Sequence, residues 1–242
     1  MAVEAQPVLR DQVAVVTGGT RGIGAAISQR LVSLGAFVYV VGRSGRAADA
    51  AVARIGPQGG HCMSYQADIC KWRDVEELAE FIKKESRRCD ILVNGAGIGC
   101  FGRPLHQMEL QDWDDIINTN LRGAFYCIRA LAPMMIEAQY GHIVNISSIA
   151  SKNPLPSGAA YAASKWGLNG LSYSVAEELR NDNIRVSLVC PGSTDSGWSH
   201  SRSKDPEKML RPADIAHVVE MLVTQAPQSF ASEVIVRPTR KP

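Results

Sequence analysis

Short β-branched runs alternate with amphipathic stretches from one end of this sequence to the other, and few architectures accept that order. Residues 13–17, 36–41, 61–66, 90–94, 142–147, 185–190 and 233–236 read as strands. Several of them are apolar at every position, the pattern of strands covered on both faces of a parallel sheet. Helical periodicity fills the intervals at 22–34, 47–55, 71–87, 109–138, 159–180 and 213–224. Strand–helix alternation of this kind predicts an α/β fold: a doubly wound, seven-stranded parallel sheet with right-handed crossovers and helices on both faces. The 242 residues suit one large domain over residues 1–242 better than two small ones. Pro133 falls inside the fourth helical stretch and predicts a kink or an early end there. Residues 191–210, rich in Ser, Gly, Lys and Asp, form the one long stretch without periodicity and predict a binding lid or a disordered segment.

Composition removes several classes of function. The 26 basic and 24 acidic side chains are mixed along the chain, so no block of one sign marks a nucleic-acid or membrane patch. No apolar run approaches a membrane-spanning length, and the first residues lack the basic start and apolar centre of a signal peptide. Six cysteines lie scattered without C-x-x-C spacing, and the five histidines form no H-E-x-x-H pair, so no metal site is expected. These features predict a cytoplasmic protein with reduced thiols.

The first strand runs into Thr17-Gly18-Gly19-Thr20-Arg21-Gly22-Ile23-Gly24 and then a helix. Glycines permit the tight turn and the close backbone approach that a pyrophosphate needs at a helix N-terminus, as in the Rossmann βαβ unit. No Gly-Lys-Ser/Thr follows, which excludes a P-loop. The dinucleotide is then decided at the end of the second strand, where an acid binds ribose hydroxyls and an arginine accommodates a 2′-phosphate. Residues 25–48 contain no acid, whereas Gly42-Arg43-Ser44 ends the strand and Arg21 lies in the turn. Arginine's planar fork suits a phosphate dianion, so NADPH is the expected cofactor, with Arg46 a further candidate or a solvated surface residue.

Tyr161 and Lys165 are four residues apart in a helical stretch and share one of its faces, with Ser148 upstream. An ammonium beside a phenol predicts a tyrosine pKa below its usual value of roughly 10 and proton exchange with a carbonyl or alcohol near neutral pH.

Together these motifs resemble the short-chain dehydrogenase/reductase family over nearly the whole chain, with most similarity to its 3-oxoacyl-[acyl-carrier-protein] reductase-like branch. The turn has that family's T-G-x-x-x-G-x-G spacing. Ser148 precedes Tyr161 by the family's 13 residues, which implies Ser148 rather than Ser147 as the hydrogen-bond donor to the substrate oxygen. The resemblance further implies that Tyr161 gives the proton, that Lys165 binds the nicotinamide ribose, and that Asn120 holds a water in a proton relay. It assigns Asp68 and Ile69 to the adenine, Asn94, Gly95 and Ala96 to the cofactor's binding edge, and Pro191, Gly192 and Ser196 to the nicotinamide end. Gly95 stands where the family usually has a second asparagine.

The implied reaction is reduction of a ketone or 3-oxoacyl carbonyl to a hydroxyl by NADPH, on a small-molecule or acyl-carrier-bound substrate. General carbonyl reduction, NAD-linked alcohol or polyol oxidation, and an NADP-sensing scaffold without turnover are the alternatives. Residues 97–104, 149–156 and 191–209 frame the expected substrate pocket; His200, Arg202, Lys204 and Lys208 are either the lid's contacts for an acidic carrier or part of a solvated loop whose charges Asp195, Asp205 and Glu207 offset. A homodimer or homotetramer paired through the long helices is expected. The C-terminal Arg-Pro-Thr-Arg-Lys-Pro departs from the glycine-rich ending of many relatives.

Overall fold

In the computed structural model, which describes residues 8–56, 61–197 and 205–242, seven strands form one parallel sheet. They are β1 (Val13–Thr17), β2 (Phe37–Gly42), β3 (Cys62–Gln66), β4 (Ile91–Asn94), β5 (Gly141–Ile146), β6 (Ile184–Pro191) and β7 (Glu233–Val236). Their spatial order is β3-β2-β1-β4-β5-β6-β7. The order reverses between β1 and β4, and in doubly wound sheets ligands bind outside the carboxyl ends of the strands at that crevice. The register sets those ends level: Thr17 pairs with both Val41 and Asn94, and Asn94 with Asn145.

Alternation along β1 divides the core. Ala14 and Val16 face one layer, where they meet Ile27 and Leu31 of α1 (Gly22–Ser33), Ala51 of α2 (Gly45–Ile55) and Val219 of α7 (Pro212–Val223). Val13 and Val15 face the other, with Leu78 of α3 (Trp72–Glu85), Leu131 of α5 (Gly123–Ala138) and Val175 of α6 (Ala159–Glu178). Period-two side-chain placement thus feeds one strand into two apolar layers, and both faces are dry.

The fourth helical stretch departs from expectation. It does not break at Pro133, which lies inside α5. The irregularity comes earlier, where α4 (Leu110–Ile117) passes through a π-helical turn at Asn118–Arg122 before α5 begins. An i→i+5 turn inserts an extra residue and re-aims the side chains within it. Here it aims Asn120 inward. Gly123 lets the turn close on β3's exit, since a Cβ there would lie 2.6 Å from Ile69 Cδ1.

The 191–210 stretch is pinned at its base. Leu210 N donates to Ser193 O (2.9 Å) and Asp195 N to Leu210 O (2.8 Å), so its two ends leave the body side by side. Residues 206–208 add a short 3₁₀ turn. His200, Arg202 and Lys204 lie outside the described residues.

Candidate active site

The carboxyl ends of β1, β4, β5 and β6 open into a cleft of about 1040 Å³. Its near half is built by the glycine turn. Gly18 and Gly22 take φ of +67° and +54°, the left-handed region that glycine enters without strain. A Cβ on Gly18 would stand 2.7 Å from Ala96 Cα, and one on Gly24 only 2.2 Å from Gly18 O. Bare backbone is therefore what allows the turn, the β4 exit and α1 to meet. Helix α1 opens at Arg21 with no side-chain cap and no acid in its first turn, so its leading amides are left for an outside acceptor. Gly18, Thr20, Arg21, Gly22, Ile23 and Gly24 all line the cleft. The arrangement fits a dinucleotide's pyrophosphate.

Arg43 also lines the cleft, whereas Arg46 does not. Both Arg21 and Arg43 are exposed to it. Gln66 Nε2 donates to Arg43 O (3.3 Å), which braces the end of β2. Asp68 and Ile69 line the same wall, and Asp68 Oδ1 accepts from Cys70 N at 3.1 Å. Gly95 and Ala96 line the cleft's floor with their N–H groups directed to Thr17 Oγ1 (3.2 and 3.4 Å). Asn94 does not reach the cleft: it is buried at the end of β4, and its Nδ2 donates to Asn145 Oδ1 (2.8 Å). Pro191, Gly192 and Ser196 line the far end of the groove.

The far half holds the expected reactive groups. Tyr161 and Lys165 lie in the first turns of α6, and both face the cleft beside Ser148. Ser148 is at once a cap and a cleft residue, since its Oγ accepts from Ala150 N (3.1 Å) and opens a 3₁₀ turn over Ile149–Ser151. Lys165 Nζ donates to Ile146 O (2.8 Å), which fixes its head at the end of β5. The nitrogen stands 5.9 Å from the Tyr161 ring centroid.

The electrostatics correct one expectation. Tyr161 is not acidified by its neighbour; burial pushes its pKa up to about 12, and a hydrogen bond with Ser148 opposes that rise. Burial also pulls Lys165 down to about 8. Two groups taken out of water each resist charge, and for the phenol that cost outweighs the hydrogen bond with Ser148.

Asn120 is 1% exposed and does not line the cleft. Its Oδ1 accepts from Ile98 N (2.8 Å), and its Nδ2 donates to Ile98 O (2.9 Å) and Ser164 Oγ (2.9 Å). Yet Asn120 Oδ1 and Lys165 Nζ flank the bare face of Gly97, at 3.4 and 3.6 Å from where a Cβ would stand.

Two site residues act through contacts that no motif marks, although Phe101 falls in the 97–104 segment expected to frame the substrate pocket. Arg54 Nη2 donates to Thr20 O (3.1 Å) and holds the glycine turn from α2. Phe101 packs edge-on against the Tyr161 ring with centroids 5.4 Å apart, and with Leu155 it covers Gly158. Neither sits at a spacing that periodicity could reveal.

Three comparisons bear on this cleft. The family model described as short chain dehydrogenase matches residues 12–207. A 3-oxoacyl-[acyl-carrier-protein] reductase of Synechocystis sp. is 34% identical over 230 residues, covering 92% of this chain and 93% of that protein. A reductase of the same description from Staphylococcus epidermidis is 34% identical over 233 residues, covering 92% and 95%. Among solved structures, a metagenomic short-chain oxidoreductase in complex with NADP is 49% identical, with a TM-score of 0.87 over 96% of this chain and 100% of that one.

Proposed function

The chain belongs to the short-chain dehydrogenase family, and on that premise we propose that it is an NADPH-dependent reductase that turns a ketone or 3-oxoacyl carbonyl into a hydroxyl. The observation that carries this reading is a single cleft with Ser148, Tyr161 and Lys165 at one end and the glycine turn with Arg21 and Arg43 at the other. The two arginines favour a 2′-phosphate, and the metagenomic relative, whose structure holds NADP, supports the same cofactor.

Bound NADPH would supply the hydride; the protein's residues manage the oxygen and its proton. Ser148 Oγ accepts from Ala150 N and shares a hydrogen bond with Tyr161, so a substrate oxygen entering between the two hydroxyls would take the Ser148 O–H. Tyr161 keeps its proton throughout neutral pH, which suits an acid that protonates the new alkoxide. Lys165, charged at neutral pH, would offset the charge left on the phenolate. The space over Gly97 between Asn120 Oδ1 and Lys165 Nζ is where a water could return the proton.

At the substrate end the rim of Phe101, Leu155 and Ile149 is apolar, which supports an uncharged ketone. The acyl-carrier reading rests on the curated relatives. A homodimer or homotetramer is the assembly we propose, supported by Leu110, Trp113, Phe125 and Trp166, all exposed apolar residues on α4, α5 and α6.

The test is NADPH oxidation against aryl ketones, diketones and acetoacetyl thioesters, with NADH as control. Turnover with at least one of these, and preference for NADPH, is expected. NADPH binding with no turnover across the panel would instead identify a sensor or scaffold.

A further inference from the structure

Helix α6 carries Tyr161 and Lys165 at i and i+4, and the residue at i+8 on the same stripe is Asn169. It is buried, 3% exposed, and both ends of its amide are used. Asn169 Oδ1 accepts from Ser147 Oγ at 2.6 Å, and Asn169 Nδ2 donates to Ser151 Oγ at 3.0 Å. Ser151 Oγ in turn donates to Ser148 O at 2.5 Å. Ser147 and Ser151 are themselves buried.

These bonds converge on one residue. Ser147 precedes Ser148 and leaves the sheet with its N–H bonded to Val189 O at 2.7 Å. Ser151 closes the turn that Ser148 begins. One amide therefore holds the hydroxyls of Ser147 and Ser151 on either side of Ser148 and ties that segment to the helix that presents the tyrosine and lysine. Ser151 Oγ lies 2.5 Å from Ser148 O and 3.8 Å from Cys190 Sγ, so its single proton goes to the carbonyl, it accepts from the amide, and the amide oxygen faces Ser147.

We propose that Asn169 is a positioning residue that fixes Ser148 relative to Tyr161 and Lys165, and so acts on the reduction without touching substrate or cofactor. The inference rests on the reductase reading above. A displacement of about 1 Å in a preorganised donor costs on the order of 100-fold in rate.

The experiment is a double-mutant cycle between Asn169→Leu and Ser148→Ala, with ketone reduction by NADPH as the readout and thermal unfolding followed alongside. In the otherwise native protein, Asn169→Leu is expected to lower kcat about 10- to 100-fold while KM for NADPH stays unchanged. In the Ser148→Ala background the same change should move kcat by less than about twofold, because nothing remains to be positioned. An unaltered kcat in the single variant, or equal losses in both backgrounds, overturns the proposal. Ser151→Ala, which removes only the lower arm, serves the same cycle if Asn169→Leu does not fold, with a smaller loss and the same non-additivity expected. Absence of turnover in the unaltered protein would overturn the reductase reading itself, whereas turnover with an indifferent Asn169→Leu overturns only the role of Asn169.

Discussion

Burial drives Tyr161 and Lys165 towards their neutral forms, the phenol to a pKa of about 12 and the amine to about 8. Near pH 7 the first is protonated and the second still charged, which is the pairing a proton donor and its counter-charge require. Tyr161→Phe keeps the ring against Phe101 and deletes the proton. Reduction should fall about 10²- to 10⁴-fold, with NADPH affinity, followed by cofactor fluorescence, little changed; a variant that keeps most of its turnover would remove Tyr161 from the chemistry. Lys165 has a lowered pKa, so it is charged below about 8 and neutral above. The reductive kcat should therefore be level up to that pH and decline beyond it, and a profile flat to pH 10 would count against a charge role for the lysine. At the other end of the cleft, Arg43→Asp replaces a phosphate-seeking fork with a ribose-seeking acid. The ratio of kcat/KM for NADPH over NADH should fall by at least about tenfold, and an unchanged ratio would place 2′-phosphate recognition elsewhere.

Among the elements, α6 is the most constrained, since it bears the reactive pair, docks Asn169 and still contains two glycines. Gly170 has no atom within 4 Å of where a Cβ would stand and is exposed in mid-helix. Gly170→Ala should stabilise the protein by about 0.5–1 kcal/mol, raising Tm by about 1–4 °C. Gly24→Ala in α1 has the opposite sign, because its methyl would meet Gly18 O at 2.2 Å. Loss of folded protein or of NADPH binding is expected there, and a normal Tm with intact binding would contradict the geometry. The same contrast explains what could be read in advance. β1 and β7 fall where alternation predicts them, and Gly18, Gly22 and Gly24 form the turn that their spacing implies, because these signals are local. The π-helical turn at Asn118–Arg122 was not legible, since it is fixed by Asn120 reaching Ile98 and Ser164 rather than by Pro133. Arg54 and Asn169 likewise matter through contacts with residues distant in sequence, Phe101 lies on the rim where its segment was expected, and Asn94, placed on the cleft by resemblance, is turned into the core by Asn145.

Across the whole molecule the two edges of the sheet divide the work. The carboxyl edge holds the open cleft, while the amino edge is closed by buried polar anchors. Asp90 Oδ2 accepts from Val13 N at 2.7 Å, and both its oxygens take Arg88. Next to it, His142 at the start of β5 is 1% exposed with Nε2 2.8 Å from Ser187 Oγ. Ser187 gives its proton to Ala231 O, so the imidazole must donate from Nε2, and its Nδ1 is left without a partner among the described residues. Acid would place a proton on that orphaned nitrogen, in an apolar interior and near Arg185. Burial first, and Arg185 second, accordingly hold the His142 pKa down at about 3. The unfolded chain takes up this proton below the ordinary value near 6.5, and the folded chain only near 3. Stability is complete above 6.5 and is lost as pH falls through that window, at about 1.4 kcal/mol per pH unit. His142→Gln can still donate to Ser187 but cannot titrate. Urea unfolding at pH 7 and pH 5 should show the native protein losing about 2 kcal/mol more than this variant over the interval. Equal losses in the two proteins would mean that His142 is not the group through which acid opens the sheet.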